Sequence, residues 1–384
     1  MAFSGEDEHR LPSALLFAGL ILALTAPLSV LMAGRETHFL YALAWSLFTA
    51  SMAFGIRFTG RTATFRRIFF AVSALAFLFH LKHGLFTGGR IGYCIDAAVK
   101  ATPYCHISMA SFLPERIHQE FIAAKIGMWP VFWGPIKLAA VWLLVTLAIG
   151  RAWCSWICCF GGINDGFCAI PRRPLLKLGP WAFRLRDLPA ALLIFMLLAA
   201  IGYSMPVFCM WLCPLKTTTP FADPENASRL VQYALAFVGV VALALVPLLT
   251  GKKIFCAYLC PFSAWQALWG RLNPFRVSAD PGKCVSCTLC TTACPMNAMK
   301  TGPEGKPVPG AYCNLCGDCV RDCPHGAMRY SIAGLTLPPR NGVFGSLLTA
   351  EYLYVFAALT LGTVFSALWG PAALKDLAAL FGFN

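Results

Sequence analysis

Apolar runs of spanning length recur along the chain with short polar breaks between them. Residues 12–33, 39–56, 188–208, 230–250 and 352–374 are uncharged, and each is close to the ~20 residues that cross a bilayer core as a helix. Two further runs are interrupted by ionisable residues: 68–86 carries His80, Lys82 and His83 toward its end, and 126–150 carries Lys137. Accepting both predicts a polytopic α-helical membrane protein with about seven transmembrane helices. Between the sixth and seventh the pattern turns polar and rich in Gly and Pro, which predicts a small inserted α+β domain. The chain then divides into a membrane domain with six helices at 1–277, the insert at 278–335, and the seventh helix with its tail at 336–384.

Composition agrees with this division. Of 384 residues 58% are apolar and 12% charged, against about 25% charged in soluble domains, and the mean hydropathy is +0.66. The net charge of +14 reads as membrane topology and not as nucleic-acid binding, because Lys and Arg gather in cytoplasmic loops. Loop 57–67 carries Arg57, Arg61, Arg66 and Arg67, loop 151–186 adds Arg151, Arg172, Arg173, Lys177, Arg184 and Arg186, and 251–340 adds ten more. Seven spans then place the N-terminus and these three segments in the cytoplasm of a bacterial-type inner membrane. Loops 87–125 and 209–229 and the C-terminal tail lie outside. The first apolar run is longer than a signal-peptide core and follows an acidic start, which predicts a retained helix.

The 18 cysteines change the picture most. The insert reads KCVSCTLCTTACPMNAM and then CNLCGDCVRDCPHGAM, which is C-x2-C-x2-C-x3-C-P twice. Three thiolates at that spacing wrap three corners of a cubane from one loop, and the fourth ligand comes from the other run. Cys284, Cys287, Cys290 and Cys323 are expected to hold one 4Fe–4S cluster, and Cys313, Cys316, Cys319 and Cys294 a second. Pro295 and Pro324 stop the crossing cysteines from continuing into a helix. Paired zinc sites are the alternative use of C-x2-C. The segment from about 280 to 333 resembles the bacterial two-cluster ferredoxins.

Three more pairs share a C-x3-C spacing: Cys154 with Cys158, Cys209 with Cys213, and Cys256 with Cys260. On a helix such residues lie on one face. Cys154, Cys158, Cys256 and Cys260 fall on the cytoplasmic side and make four thiolates, where a disulfide is disfavoured and a metal or cluster is expected. On the outer side Cys209 and Cys213 join Cys94 and Cys105, either as a cluster or as disulfides, and His106 is an alternative ligand. Cys159 and Cys168 remain over. They pack as small apolar residues.

GRAWCSWICCFG and KKIFCAYLCPFSAW, followed by a two-cluster ferredoxin, resemble the membrane polyferredoxins with repeated C-x3-C-P motifs over about 130–335. That family includes the membrane ferredoxin-type subunit of periplasmic nitrate reductase and the electron-donating membrane protein of nitrous-oxide respiration. The resemblance implies an inner-membrane electron carrier linking the quinone pool to extracytoplasmic reductases, with redox partner subunits on one or both faces. Cys159 departs from the pattern by standing where the motif has proline. The outer set is not implied by the resemblance and rests on topology, and no outer loop is long enough for a flavin domain.

Two ferredoxin clusters, and three or four in all, would form stepping stones across a hydrocarbon core of about 30 Å. The expected function is electron relay through 4Fe–4S clusters between a cytoplasmic-side donor or the quinone pool and an extracytoplasmic partner. His80 and His83, three apart at membrane depth, are quinone candidates. Residues 113–127 read as an interfacial helix. A redox maturation factor for a respiratory metalloenzyme is the alternative function, and a scaffold in which only the ferredoxin is redox-active is another. The sequence contains no nucleophile elbow, phosphate-binding Gly loop or zinc-protease motif.

Overall fold

The computed structural model describes residues 10–33, 39–88, 133–171, 174–179, 181–203, 207–214, 228–302, 305–338 and 340–382, with isolated positions between 106 and 118. It is mostly helical. Among the described residues five helical segments are long and apolar enough to cross a membrane: Arg10–Met32, Phe39–Thr59, Thr62–Leu81, Leu185–Tyr203 and Tyr233–Thr250. Two bent pairs bring the total to seven if each is one span, Trp142–Ile157 with Cys159–Ala169 at 55° and Ala350–Ser366 with Gly370–Leu380 at 51°. Large apolar side chains point outward from these helices, among them Leu31, Leu75, Leu144 and Leu198, as a lipid-facing surface requires.

The chain forms two compact units, one of residues 1–83, 147–166 and 272–384 and the other of 84–146 and 167–271. In the first, α1 (Arg10–Met32), α2 (Phe39–Thr59) and α3 (Thr62–Gly88) pack with α12 (Ala350–Ser366) and α13 (Gly370–Leu380). Phe69, Phe70, Trp156, Tyr354 and Leu359 are buried at the centre. Some interior polar groups pair across helices: Trp45 Nε1 donates to Ser366 Oγ at 2.9 Å and Thr363 Oγ1 to Thr49 Oγ1 at 3.1 Å. Helix α5 (Cys159–Ala169) approaches so closely that a Cβ at Gly161 would stand 2.6 Å from the Cys154 carbonyl and one at Gly162 2.6 Å from the Phe70 carbonyl.

The ferredoxin segment belongs to the same unit. Strand β1 (Phe275–Ala279) pairs antiparallel with β4 (Met328–Ile332), and β2 (Met299–Thr301) with β3 (Pro307–Pro309). Short helices α10 (Leu289–Ala293) and α11 (Asp318–Arg321) lie between them. The small sheet begins at Phe275, three residues before the boundary at 278 read from composition.

The second unit contains α6 (Leu188–Tyr203), α7 (Ser228–Val240), the short α8 (Val246–Thr250) and α9 (Pro261–Trp269). Here α6 packs on α9, and Trp142 stacks on Phe262 and Trp265 at centroid distances of 5.0 and 5.6 Å.

Candidate functional site

The two cysteine runs of the insert have the same backbone. In Cys284–Cys290 the residues on either side of the central cysteine, Ser286 and Thr288, are left-handed at φ +56° and +60°; in Cys313–Cys319 Leu315 and Gly317 are left-handed at +57° and +79°. Asn297 and Gly326, each three residues past a crossing cysteine, repeat the match at +53° and +56°. Alternating left- and right-handed residues turn successive N–H groups into one concavity, an anion cradle found at iron–sulfur sites. Four of these six positions, Ser286, Thr288, Leu315 and Asn297, carry a Cβ, a strain retained where the surrounding structure needs the geometry.

Cys284, Cys287, Cys290 and Cys323 line one cavity, together with Lys283 and His325. Cys294, Cys313, Cys316 and Cys319 lie within electrostatic reach of one another. Burial lifts the Cys313 thiol to about 11, and burial followed by Cys313, Cys316 and Cys294 lifts Cys319 well above the ordinary thiol value. Four clustered thiolates repel unless a cation sits among them, so the donor set suits a metal cluster that takes them as thiolates. At Cys323 burial is outweighed by the backbone amides of Met328, Ala327, His325 and Gly326, which pull its pKa down. Ala298 N and Ala327 N donate to the Cys294 and Cys323 sulfurs, each at 3.3 Å. Such bonds tune cluster potential. Among the described residues no three His, Cys, Asp or Glu side chains meet at single-ion spacing, whereas a cubane spreads its ligands over four corners.

Each C-x3-C pair brackets a π-helical turn, Trp153–Ile157, Phe208–Leu212 or Phe255–Leu259. The expected pairing on one face of an α-helix is corrected by this geometry. The second cysteine leaves the helix in extended conformation every time, with ψ of 119° at Cys158, 118° at Cys213 and 113° at Cys260. The wide turn closes by i−5 bonds, Cys158 N to Trp153 O at 3.0 Å and Cys260 N to Phe255 O at 2.9 Å. Single π turns concentrate at functional sites. Pro261 opens α9 after Cys260, a position proline suits. Cys159 takes that place after Cys158 with no change of the extended bend, so the missing proline does not alter the turn. Cys159 is buried and Cys168 half-buried, both on α5.

Arg151 and Lys253 each precede the first cysteine of a pair by three residues, and both are buried. Cys209 has Pro206 at that position. Cys94 and Cys105 lie outside the described residues, as does most of 113–127, and at Cys209 only the backbone is described. His106 packs edge-on to Phe262 at 4.7 Å, and burial lowers its pKa to about 3, which leaves the ring neutral. His80 Nδ1 meets Asp376 Oδ2 at 2.7 Å and His83 Nδ1 meets Asp376 Oδ1 at 3.4 Å. Asp376 comes from α13 and carries no sequence signal, since it lies 296 residues from His80.

A buried ion-pair network ties the ferredoxin segment to α3. Arg66 Nη1 contacts Asp165 Oδ2 at 2.8 Å, Arg66 Nη2 stands 3.8 Å from Asp318 Oδ2, and Arg67 Nη2 contacts Asp318 Oδ1 at 3.0 Å. Asp318 sits between Cys316 and Cys319. Arginines read as topological charges are thus also ligands of the ferredoxin segment.

A 4Fe–4S dicluster domain family matches residues 283–328, and a 4Fe–4S binding domain family matches three times, at 131–176, 188–219 and 234–278. Each of the three contains one C-x3-C pair, so the Cys209–Cys213 pair belongs to the same recurring motif. The putative electron transport protein YccM of Escherichia coli is 24% identical over 259 residues, covering 62% of this chain and 68% of that protein. The ferredoxin-type protein NapH of Haemophilus influenzae is 25% identical, covering 50% and 67%. The regulatory protein NosR of Pseudomonas aeruginosa is 25% identical over 50% of this chain but only 27% of its own length. No solved structure matches significantly. The class is a ferredoxin-type electron-transfer protein with 4Fe–4S binding domains and membrane helices. These likenesses support a kinship with the membrane ferredoxin-type proteins that carry 4Fe–4S domains.

Proposed function

We propose that the chain relays electrons across an inner membrane, between a cytoplasmic-side donor or the quinone pool and an extracytoplasmic redox partner. The observation that carries the reading is the threefold recurrence of a cysteine-bracketed π turn in a chain that also holds a two-cluster ferredoxin segment. The ferredoxin residues hold two clusters in the crossed sets given above. Cys154, Cys158, Cys256 and Cys260 supply a third, and Cys94, Cys105, Cys209 and Cys213 a fourth, assignments that come from sequence topology. When bound, such clusters supply one-electron transfer at potentials set by charge, burial and hydrogen bonds to sulfur. The protein fixes the thiolates, excludes water and orients backbone N–H groups toward them. The basic loops favour the ferredoxin on the cytoplasmic side.

Replacing Cys154 and Cys158 together by Ser is expected to lower iron and acid-labile sulfide by about four each per chain and to stop reoxidation by an outer acceptor. Unchanged iron and unchanged transfer would leave the ferredoxin as the sole redox centre and end the relay reading. Quinol is proposed to meet the chain at His80, His83 and Asp376, where one carboxylate orients two imidazoles. Asp376→Asn should raise the KM for quinol several-fold; wild-type quinol kinetics in that variant would remove the site. Loss of electron flow with a partner reductase that stays fully metallated separates relay from a maturation role.

A further inference from the structure

The two ferredoxin sets are unequal in what surrounds them. Cys287 of the first set is exposed, and Val285 and Leu289 beside it are 60% and 48% accessible. The second set faces inward. Cys316 and Cys319 are buried, and so are Asn314, Leu315 and Asp318 between the ligands.

Two residues inside the Cys154–Cys158 turn reach this inner loop. Ser155 Oγ donates to the Asn314 carbonyl at 2.7 Å. Trp156 Nε1 donates to Tyr354 Oη at 3.1 Å, and Tyr354 Oη donates in turn to the Leu315 carbonyl at 3.0 Å. Tyr330, stacked on Tyr354 at 5.0 Å, donates to the same carbonyl at 3.1 Å. Asn314 and Leu315 are the two residues between Cys313 and Cys316. Two unbroken routes of covalent and hydrogen bonds therefore join the second set to the membrane pair.

Cations converge on the same set. Arg151 donates to the Ala311 carbonyl at 3.0 Å, lies over the Tyr312 ring at 5.2 Å and is in electrostatic range of Cys313, as is Arg276. Arg66, fully buried, is in range of Cys316. Asp165 and Asp318 oppose them, leaving the cations in excess. A buried positive charge favours the reduced, more negative form of a neighbouring centre, and it acts strongly where water is excluded.

We propose that Cys294, Cys313, Cys316 and Cys319 form the ferredoxin's contact with the Cys154–Cys158 pair, and that Arg151 and Arg66 hold this set at the higher potential of the two. The inference rests on the reading that both ferredoxin sets hold clusters. Arg151, Ser155 and Tyr354 are positioning residues.

The test is a redox titration of purified protein followed by EPR, with the two ferredoxin signals assigned by loss in Cys323→Ser and in Cys294→Ser. In the wild type the signal lost in Cys294→Ser should titrate at the higher potential. Arg151→Gln should move that signal alone, shifting the electron distribution between the two centres about tenfold, or about 59 mV for a one-electron centre. Arg151→Lys should restore most of the difference, and it carries the test if the Gln variant assembles poorly. Ser155→Ala and Tyr354→Phe should leave both potentials in place while slowing electron equilibration with the membrane pair about tenfold, the scale of a small displacement between reacting groups. Equal potentials in the wild type, or an Arg151→Gln shift shared by both signals, would overturn the inference. A single ferredoxin signal in the wild type would instead overturn the two-cluster reading beneath it.

Discussion

Asp318→Ala is expected to destabilise the protein by about 3–5 kcal/mol, the cost of removing one partner from a buried ion-pair network. Asp318 is 2% exposed and Arg66 fully buried, so the deletion leaves Arg66 with Asp165 as its remaining carboxylate and removes the contacts of Arg67 and Arg321 to Asp318 at 3.0 and 3.1 Å, Arg67 keeping Asp165 at 3.7 Å. Loss should be visible as a lower Tm and as early proteolysis at the ends of the ferredoxin segment, because the network joins that segment to α3. Asp322→Ala is the control. Asp322 pairs with Arg321 at 2.6 Å, but both are more than a third exposed, and a surface pair is worth about 0–1 kcal/mol. A Tm equal in the two variants would show that the network does not hold the segment.

The second large effect concerns which cluster each crossing cysteine serves. Cys323 follows Cys319 in sequence, yet it lines the cavity of Cys284, Cys287 and Cys290. Cys323→Ser is therefore expected to lower iron by about four per chain while leaving the EPR signal of the other set intact, and Cys294→Ser should do the converse. If Cys323→Ser abolished the signal of the Cys313, Cys316 and Cys319 set instead, the ligands would not cross.

The sequence carries the ferredoxin ligands because they are local: spacing of two residues, a proline after the fourth cysteine and repetition within forty-odd residues leave little freedom. It also carries the spans, whose composition is dictated by lipid. What it does not carry is tertiary. Arg66 and Arg67 look like topological charges until Asp165 and Asp318, 99 and 251 residues away, are brought beside them. Asp376 is invisible as a partner of His80 for the same reason. The shape of the C-x3-C pairs was hidden differently: i and i+4 predict neighbours on an α-helix, whereas a π turn widens the coil and ejects the second cysteine into extended backbone. The bend at Ala367–Trp369 that divides the last apolar run into α12 and α13 likewise follows packing, with Gly370 pressed against the Trp45 ring.

The central claim is that cysteines beyond the ferredoxin also carry clusters, and iron with acid-labile sulfide per chain in anaerobically purified protein tests it most directly. The relay predicts roughly 16 of each, four per cubane. A value near 12 would remove the outer centre, and a value near 8 would confine redox chemistry to the ferredoxin segment and contradict the relay.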